Sequence, residues 1–353
     1  MTALPDTMRA VLLTGHGGPE MLELRTDVLV PRPGPGDVLI RVAAAGVNNT
    51  DINTRIGWYS KGDRQAEDAA WTGEPLHFPR IQGADICGDI VAVGDGVAQN
   101  RIGERVLVEP CLRIAGNRPL ERPWYIGSEC DGGFAEYAVV ADRHAFAVSS
   151  PLTSVELASF PCSYSTAENL LTRSGVAEDE RVLVTGASGG VGSAAVQLAK
   201  ARGARVIAVT SPAKADALRD IGADETIGRD DDYPGRLGGD SVDVVIDLVA
   251  GPKWHSLLDV LRPGGRYAVS GAIGGPIVEL DVRTLYLKDL SFFGCTVLEP
   301  EVFPNLVAHI ERGRIKPLVA ETFPLSRIAE AQETFLRKGH IGKIVLTVAD
   351  GAG

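Results

Sequence analysis

One stretch constrains the fold more than anything else in the chain. From Arg181 to Thr210 it reads RVLVTGASGGVGSAAVQLAKARGARVIAVT: a β-type run, a glycine-rich turn, an alanine-rich helical segment and a second β-type run. A strand that enters a helix through residues without bulky side chains lets backbone N–H groups approach a pyrophosphate, whose charge then rests at the positive end of the helix. Ala187, Ser188, Gly189, Gly190, Val191 and Gly192 occupy that turn. Tight packing alone also selects glycine turns, but strand, turn, helix and second strand follow here at the spacing of a dinucleotide-binding unit.

A Rossmann site that selects NAD commonly places an Asp or Glu at the end of the second strand, where it holds the ribose 2′-hydroxyl. Thr210 and Ser211 stand at that place. Without a carboxylate nothing repels a 2′-phosphate, and Ser211, Lys214 and Arg229 offer a hydroxyl and positive charge, so NADPH is expected over NADH. The competing reading of Lys214 and Arg229 is that they are solvated surface side chains.

The rest of the chain falls into two textures. Up to about Ser149 it shows short β-type runs (MRAVLLT, DVLIRVAAAGV, DICGDIVAVG, ERVLVEP, FAEYAVV) separated by Gly, Pro and Asp turns, the pattern of an all-β barrel or sandwich. Two long polar segments, Gly57 to Pro79 and Cys111 to Asp131, carry Trp58, Tyr59, Trp71, Trp124 and Tyr125 and read as loops that line a binding site. From Thr153, β-rich runs at Arg181–Thr185, Arg205–Thr210, Asp243–Asp247, Arg266–Ser270 and Ser291–Val297 alternate with helical stretches, which predicts βαβ units and a parallel sheet covered on both faces. After Glu299, two helix-like segments lead into GKIVLTV, expected to return to the first domain.

Composition excludes several function classes. With 35 Lys plus Arg against 46 Asp plus Glu, the formal charge of -11 disfavours nucleic acid and anionic membrane as partners. The five cysteines lack paired spacing, as expected of a reduced, cytoplasmic enzyme. No apolar run approaches the ~20 residues of a membrane-spanning helix, and the N-terminal segment lacks the features of a secretory signal.

The order of motifs resembles the medium-chain dehydrogenase/reductase superfamily, and within it the quinone oxidoreductase (zeta-crystallin-like) branch. The segments that carry the likeness span nearly the whole chain: MRAVLLTGHGGPEMLEL, GVNNTDINTRIGWY, GADICGDIVAVG, GERVLV, DGGFAEYAVV, VLVTGASGGVGSAAVQLAK and GHIGKIVL. The resemblance implies an α/β protein with a GroES-like all-β catalytic domain, residues 1–149 and 301–353, and a doubly wound parallel-sheet Rossmann domain, residues 150–300. It also implies a homodimer joined through the edge strand in SFFGCTV, since an unpaired edge is otherwise a liability.

Zinc-containing relatives carry a metal-binding Cys in the segment that reads GVNNTD here, a His in the segment that reads GADICG, and often a Cys before the Rossmann domain. This chain has Asn48, Ala84 and Cys162 there. A catalytic zinc needs three protein ligands, so no metal is expected and Cys162 reads as a small buried hydrophobe. The four closely spaced cysteines of a structural zinc loop are missing too.

Zinc polarises a carbonyl by several kcal/mol, whereas a neutral hydrogen bond nets only ~0.5–1.5 kcal/mol. An acceptor whose developing charge is already delocalised, a quinone or an α,β-unsaturated carbonyl, is therefore expected over a plain ketone. By the resemblance, Asn48, Thr50, Asp51 and Tyr59 form the catalytic set: the first two and Tyr59 orient the acceptor, Thr50, Tyr59 or water supplies the proton, and Asp51 orients its neighbours. Thr166, Ser270, Gly271 and Gly294 match positions that touch the nicotinamide half, and Lys343 is expected near the cofactor. Two alternatives stand: an alcohol or aldehyde dehydrogenase of the same superfamily, and a non-catalytic NADPH-binding protein.

Overall fold

The computed structural model describes residues 4–60 and 70–348, so residues 61–69 of the first aromatic segment lie outside the described residues. By its internal contacts the chain divides into two units: Met1–Cys162 with Pro317–Gly353, and Ser163–Lys316.

The first unit is built of antiparallel β-structure, as the alternating runs demand. Its largest sheet has seven strands, and at its centre lies Asp37–Gly46, the DVLIRVAAAG run. That strand pairs antiparallel with Cys87–Val93 and Tyr137–Ala141, and with Lys343–Thr347 from the far end of the chain (Val345 opposite Gly46). The tail thus returns to the first unit, adding Val319–Pro324 parallel to Lys343–Thr347 and the helix Ile328–Leu336. Ile328, Ala331 and Phe335 sit on one face of that helix and bury with Ile40, Val42, Ile90 and Leu346 in one apolar core. Each of the Ile, Val, Leu and Phe side chains contributes roughly 1.5–3 kcal/mol on burial. The segment expected as a second loop is a β-hairpin for most of its length, Cys111–Ala115 against Arg118–Tyr125, with Gly116 and Asn117 at positive φ in its turn. Its charged residues masked the strand pattern, because both faces of a small ribbon can meet water.

The second unit is the parallel α/β sheet. Its six strands lie in the order Glu225–Gly228, Arg205–Thr210, Arg181–Val184, Val242–Asp247, Leu261–Val269, Ser291–Gly294, all parallel. Numbered along the chain this is 3-2-1-4-5-6, the doubly wound order of dinucleotide-binding sheets. The order reverses between Arg181–Val184 and Val242–Asp247, which makes the C-terminal ends of those two strands the switch point where such sheets bind ligands. The helix Gly190–Ala201 follows the glycine turn and is buried from Gly192 to Ala199. Only small side chains let a helix lie that close to a sheet, and five of its twelve residues beyond the glycines are Ala or Ser. The Glu225–Gly228 strand escapes recognition in the sequence, being a short edge strand.

Candidate active site

In the first unit the segment GVNNTD leaves the central strand at Gly46 and turns into the short helix Asn49–Arg55. Gly46 is required by contact: a Cβ there would meet the Asp85 carboxylate at 2.4 Å and the Ala158 carbonyl at 2.8 Å. Asn48 caps the helix, and the Asp51 carboxylate reaches back to accept its backbone N–H at 2.7 Å.

The four catalytic candidates separate into two roles. Asn48, nearly fully buried, has its amide committed: it donates to the Asp85 carboxylate at 2.9 Å and to the Gly46 carbonyl at 3.3 Å, while its oxygen accepts from the Lys343 ammonium. No amide hydrogen is left for an acceptor carbonyl in this arrangement. Asp51 is also buried, and desolvation pushes its carboxyl up to about 7, against the opposing pull of the Asn48 N–H and the Lys343 ammonium. Thr50 and Tyr59 are only partly buried and are joined by a hydrogen bond, the phenol donating to Thr50 Oγ1 at 3.1 Å. Burial raises the phenol's pKa, with the bonds to Thr50 and Asn53 opposing, so Tyr59 holds its proton at neutral pH.

Around these residues lies a polar cluster drawn from distant parts of the chain. Asp85 is fully buried; besides Asn48, it accepts the Cys162 backbone N–H at 2.5 Å and pairs with Lys343 Nζ at 2.7 Å. Cys162 Sγ meets the Tyr125 hydroxyl at 3.0 Å, and burial pushes the thiol up to about 12 and the phenol well above its usual range. Lys343, expected near the cofactor, has its ammonium engaged inside this cluster. Among the described residues no three His, Cys, Asp or Glu side chains are placed to hold a metal ion.

Sequence reading passed over the pairing of Asp85 with Lys343. The available signal was an Asp in GADICGDIV and a Lys in GKIVLTV, charged residues within otherwise apolar strand runs. Such residues are seldom buried unless paired.

In the second unit the expected cofactor residues gather, with few exceptions, at or just past the C-terminal ends of five of the six strands. Gly186 to Gly192 follow the first strand, Thr210, Ser211 and Lys214 the second, Arg229 the third, Ser270 and Gly271 the fifth, and Gly294 ends the sixth. Thr166 lies instead on the helix Pro161–Arg173. Gly186 adopts φ +58°, which glycine takes without strain. A Cβ on Gly192 would lie 2.2 Å from the Gly186 carbonyl oxygen, so the helix can approach the turn only with glycine there. Gly189, by contrast, is exposed, has extended backbone, and has room for a Cβ, the nearest atom standing 3.4 Å away.

Thr210 Oγ1 is buried with no hydrogen-bond partner in the structure. Lys214 has its ammonium pKa lowered by partial burial and by the nearby Arg229. A residue missed in the sequence, Asp247, ends the fourth strand at the switch point. Its carboxylate accepts from Thr185 Oγ1 (2.5 Å), the Tyr267 hydroxyl (2.6 Å) and the Val249 and Ala250 N–H groups, fixing the loop after its strand. A glycine turn at the start of a helix, beside the switch point of the sheet, fits the pyrophosphate of a nicotinamide dinucleotide.

Comparison with known proteins agrees with this layout. The family described as alcohol dehydrogenase GroES-like domain matches residues 34–150, and the one described as zinc-binding dehydrogenase matches residues 190–312. The second match does not include Asn48, Ala84 or Cys162, so its name does not bear on those positions. The quinone oxidoreductase of Homo sapiens is 34% identical, covering 96% of this chain and 97% of its own length. An NAD-dependent alcohol dehydrogenase of Sulfurisphaera tokodaii is 30% identical over 96% of this chain and 99% of its own. The solved structure of an alcohol dehydrogenase candidate from Sinorhizobium meliloti 1021 superposes with a TM-score of 0.90 at 46% identity, covering 98% of each chain.

Proposed function

Because the chain belongs to the medium-chain dehydrogenase/reductase superfamily, we propose that it is a zinc-independent, NADPH-dependent reductase of quinones or α,β-unsaturated carbonyls. The observation that carries this reading is the hydroxyl pair Thr50–Tyr59, held beside a polar cluster whose positive charge is supplied by Lys343. NADPH, when bound, supplies the hydride. The Rossmann turn from Gly186 to Gly192 holds its pyrophosphate, and Ser211, Lys214 and Arg229 hold its 2′-phosphate.

Tyr59 keeps a proton at neutral pH and shares it with Thr50, so either hydroxyl can donate to an oxygen that gains charge as the acceptor is reduced. Two neutral donors are a weak substitute for a Lewis acid, which favours acceptors that spread the charge themselves. Asn48 and Asp51 shape the turn that presents Thr50 rather than touching the acceptor.

The test is NADPH against NADH oxidation with 1,4-benzoquinone, 9,10-phenanthrenequinone, enones and simple aldehydes, with and without chelator. NADPH with quinones or enones, unchanged by chelator, is expected; equal use of NADH would remove the assignment of Lys214 and Arg229. Thr50→Val and Tyr59→Phe should each lower turnover, by about tenfold to a hundredfold, with cofactor affinity intact. Unchanged rates would exclude both from the chemistry. The relatives named as alcohol dehydrogenases support a second reading, oxidation of an alcohol, and an alcohol screen in the reverse direction separates the two.

The chain is further proposed to form a homodimer. Ser291–Gly294 is an edge strand, paired only with Leu261–Val269 among the described residues, and Ile273, Ile277, Val282, Tyr286, Leu287 and Phe292 nearby are exposed. Light scattering after gel filtration tests it. Cysteines without paired spacing favour a cytoplasmic address, and no described helix is long and apolar enough to cross a membrane.

A further inference from the structure

Trp58 has no part in the proposed reaction, yet the structure fixes it firmly. Its backbone N–H donates to the Asn53 carbonyl at 2.8 Å, and the Gly57 N–H before it donates to the Thr54 carbonyl at 3.3 Å. The Ser60 N–H after it closes onto the Gly57 carbonyl at 3.2 Å. Gly57 makes the turn at φ +68°, which glycine takes without strain. The turn is thereby hung on the helix Asn49–Arg55, the same helix that carries Thr50.

On that fixed backbone the indole stays 41% exposed. An open apolar side chain is ordinary when it stands alone on a surface. Trp58 does not stand alone: its ring meets that of Tyr59 edge to face, with centroids 5.5 Å apart and planes at 83°. The Tyr59 phenol in turn donates to Thr50 Oγ1 at 3.1 Å, and Ile56, also exposed, flanks the turn. An open aromatic surface therefore adjoins the hydroxyl pair. A planar acceptor held by its oxygen at these hydroxyls has that surface beside it, and the area it can cover grows with the number of its fused rings.

We propose that Trp58 is a specificity-determining residue that selects the size of the acceptor, a role that rests on the quinone-reductase reading above. Its indole stacks on the ring system of a polycyclic quinone whose oxygen meets Thr50 and Tyr59. A single-ring or open-chain acceptor is too short to gain from it. Stacking is made equally in the bound and reacting states, so its loss falls on KM and leaves kcat in place.

The experiment compares full-length wild type, W58A and W58F in steady-state turnover of 9,10-phenanthrenequinone, a fused-ring acceptor, and 1,4-benzoquinone, a single-ring one. W58A should raise KM for phenanthrenequinone by about tenfold or more and KM for benzoquinone by less than about threefold, with kcat little changed for either. W58F, which keeps a smaller aromatic face, should fall between. An unchanged KM for phenanthrenequinone in W58A would overturn the proposal. So would an equal loss with both quinones, which would make Trp58 a support for Tyr59 alone. Should W58A not fold, W58F decides, and an unaltered ratio of its two KM values overturns the role. Equilibrium dialysis of phenanthrenequinone with wild type and W58A, without reduced cofactor, separates this role from the reaction. If wild type turns over no quinone or enone, the reaction is refuted and dialysis judges Trp58 by itself: binding about tenfold weaker in W58A upholds the role, and equal binding ends it. Turnover of both quinones by wild type with no difference in W58A keeps the reaction and removes Trp58 from it.

Discussion

The glycine turn of the second unit and the polar cluster of the first are built by opposite means. The turn is contiguous and made of backbone: Gly186 to Gly192 lead into the start of one helix, the Gly189 N–H closes the turn onto the Gly186 carbonyl, and the close approach of Gly192 to Gly186 depends on the absence of a side chain. The cluster is dispersed and made of side chains. Asn48, Asp85, Tyr125, Cys162 and Lys343 arrive from five segments, and the Lys343–Asn48 contact joins residues 295 apart in sequence. A local, backbone-built site should therefore fail locally when altered, whereas a dispersed one should take the fold with it.

The sharpest way to break that contrast is Asp85→Ala. It strands the buried Lys343 ammonium and removes acceptors from Asn48 and the Cys162 N–H, so a loss of roughly 3–5 kcal/mol is expected in denaturant unfolding. A loss under about 1 kcal/mol would mean the cluster tolerates an unpaired charge and is not cooperative.

Asp51 supplies a pH test of the same cluster with a definite sign. Burial pushes its carboxyl up to about 7, above the ~3.9 of an unfolded chain, so the folded state favours the protonated form. The stability this contributes is fully present below pH ~3.9 and is lost as pH rises through about 7. Asp51→Asn does not titrate, so its stability relative to wild type should rise between pH 4 and pH 8, by an amount on the order of a few kcal/mol. A constant difference across that range, measured by unfolding in matched buffers, would show that Asp51 is ionised in the fold without penalty.

The glycine turn is tested by two substitutions that the structure separates. Gly192→Ala drives a Cβ into the Gly186 carbonyl at 2.2 Å and must displace the helix, so NADPH affinity should fall by about a hundredfold or more, with a stability loss of roughly 1–3 kcal/mol. Gly189→Ala adds a methyl at ordinary van der Waals distance, 3.4 Å from the Gly186 carbonyl oxygen, just before the helix start. It should leave the unfolding midpoint unchanged and weaken NADPH binding by only about tenfold, through obstruction of the phosphate approach. Unaltered affinity in fluorescence titration of Gly189→Ala would move the cofactor away from this turn.

How much was legible beforehand follows from the same contrast. The strand runs of both units, the glycine turn, the missing acidic residue at Thr210 and the returning tail could all be read, since each depends on residue type and local period. The Cys111–Tyr125 hairpin escaped because charged residues on both faces of a solvated ribbon erase the alternation that marks a strand. Thr50 and Tyr59 belong to one short segment, and the Tyr59 phenol donates to the Thr50 hydroxyl. Asn48 lies in the same segment, yet its side chain is held by Asp85 and Lys343, which the segment does not contain.

What the amino-acid sequence determined by itself, then, is the two-unit architecture and the place of the glycine turn between strand and helix, because hydrophobic period, glycine position and helix polarity act over a few residues. Only the tertiary structure decided that Lys343 faces Asp85 and Asn48 rather than a cofactor. Burial makes an ion pair obligatory without saying which carboxylate answers it, and that choice is made by the antiparallel pairing of the tail strand with Asp37–Gly46.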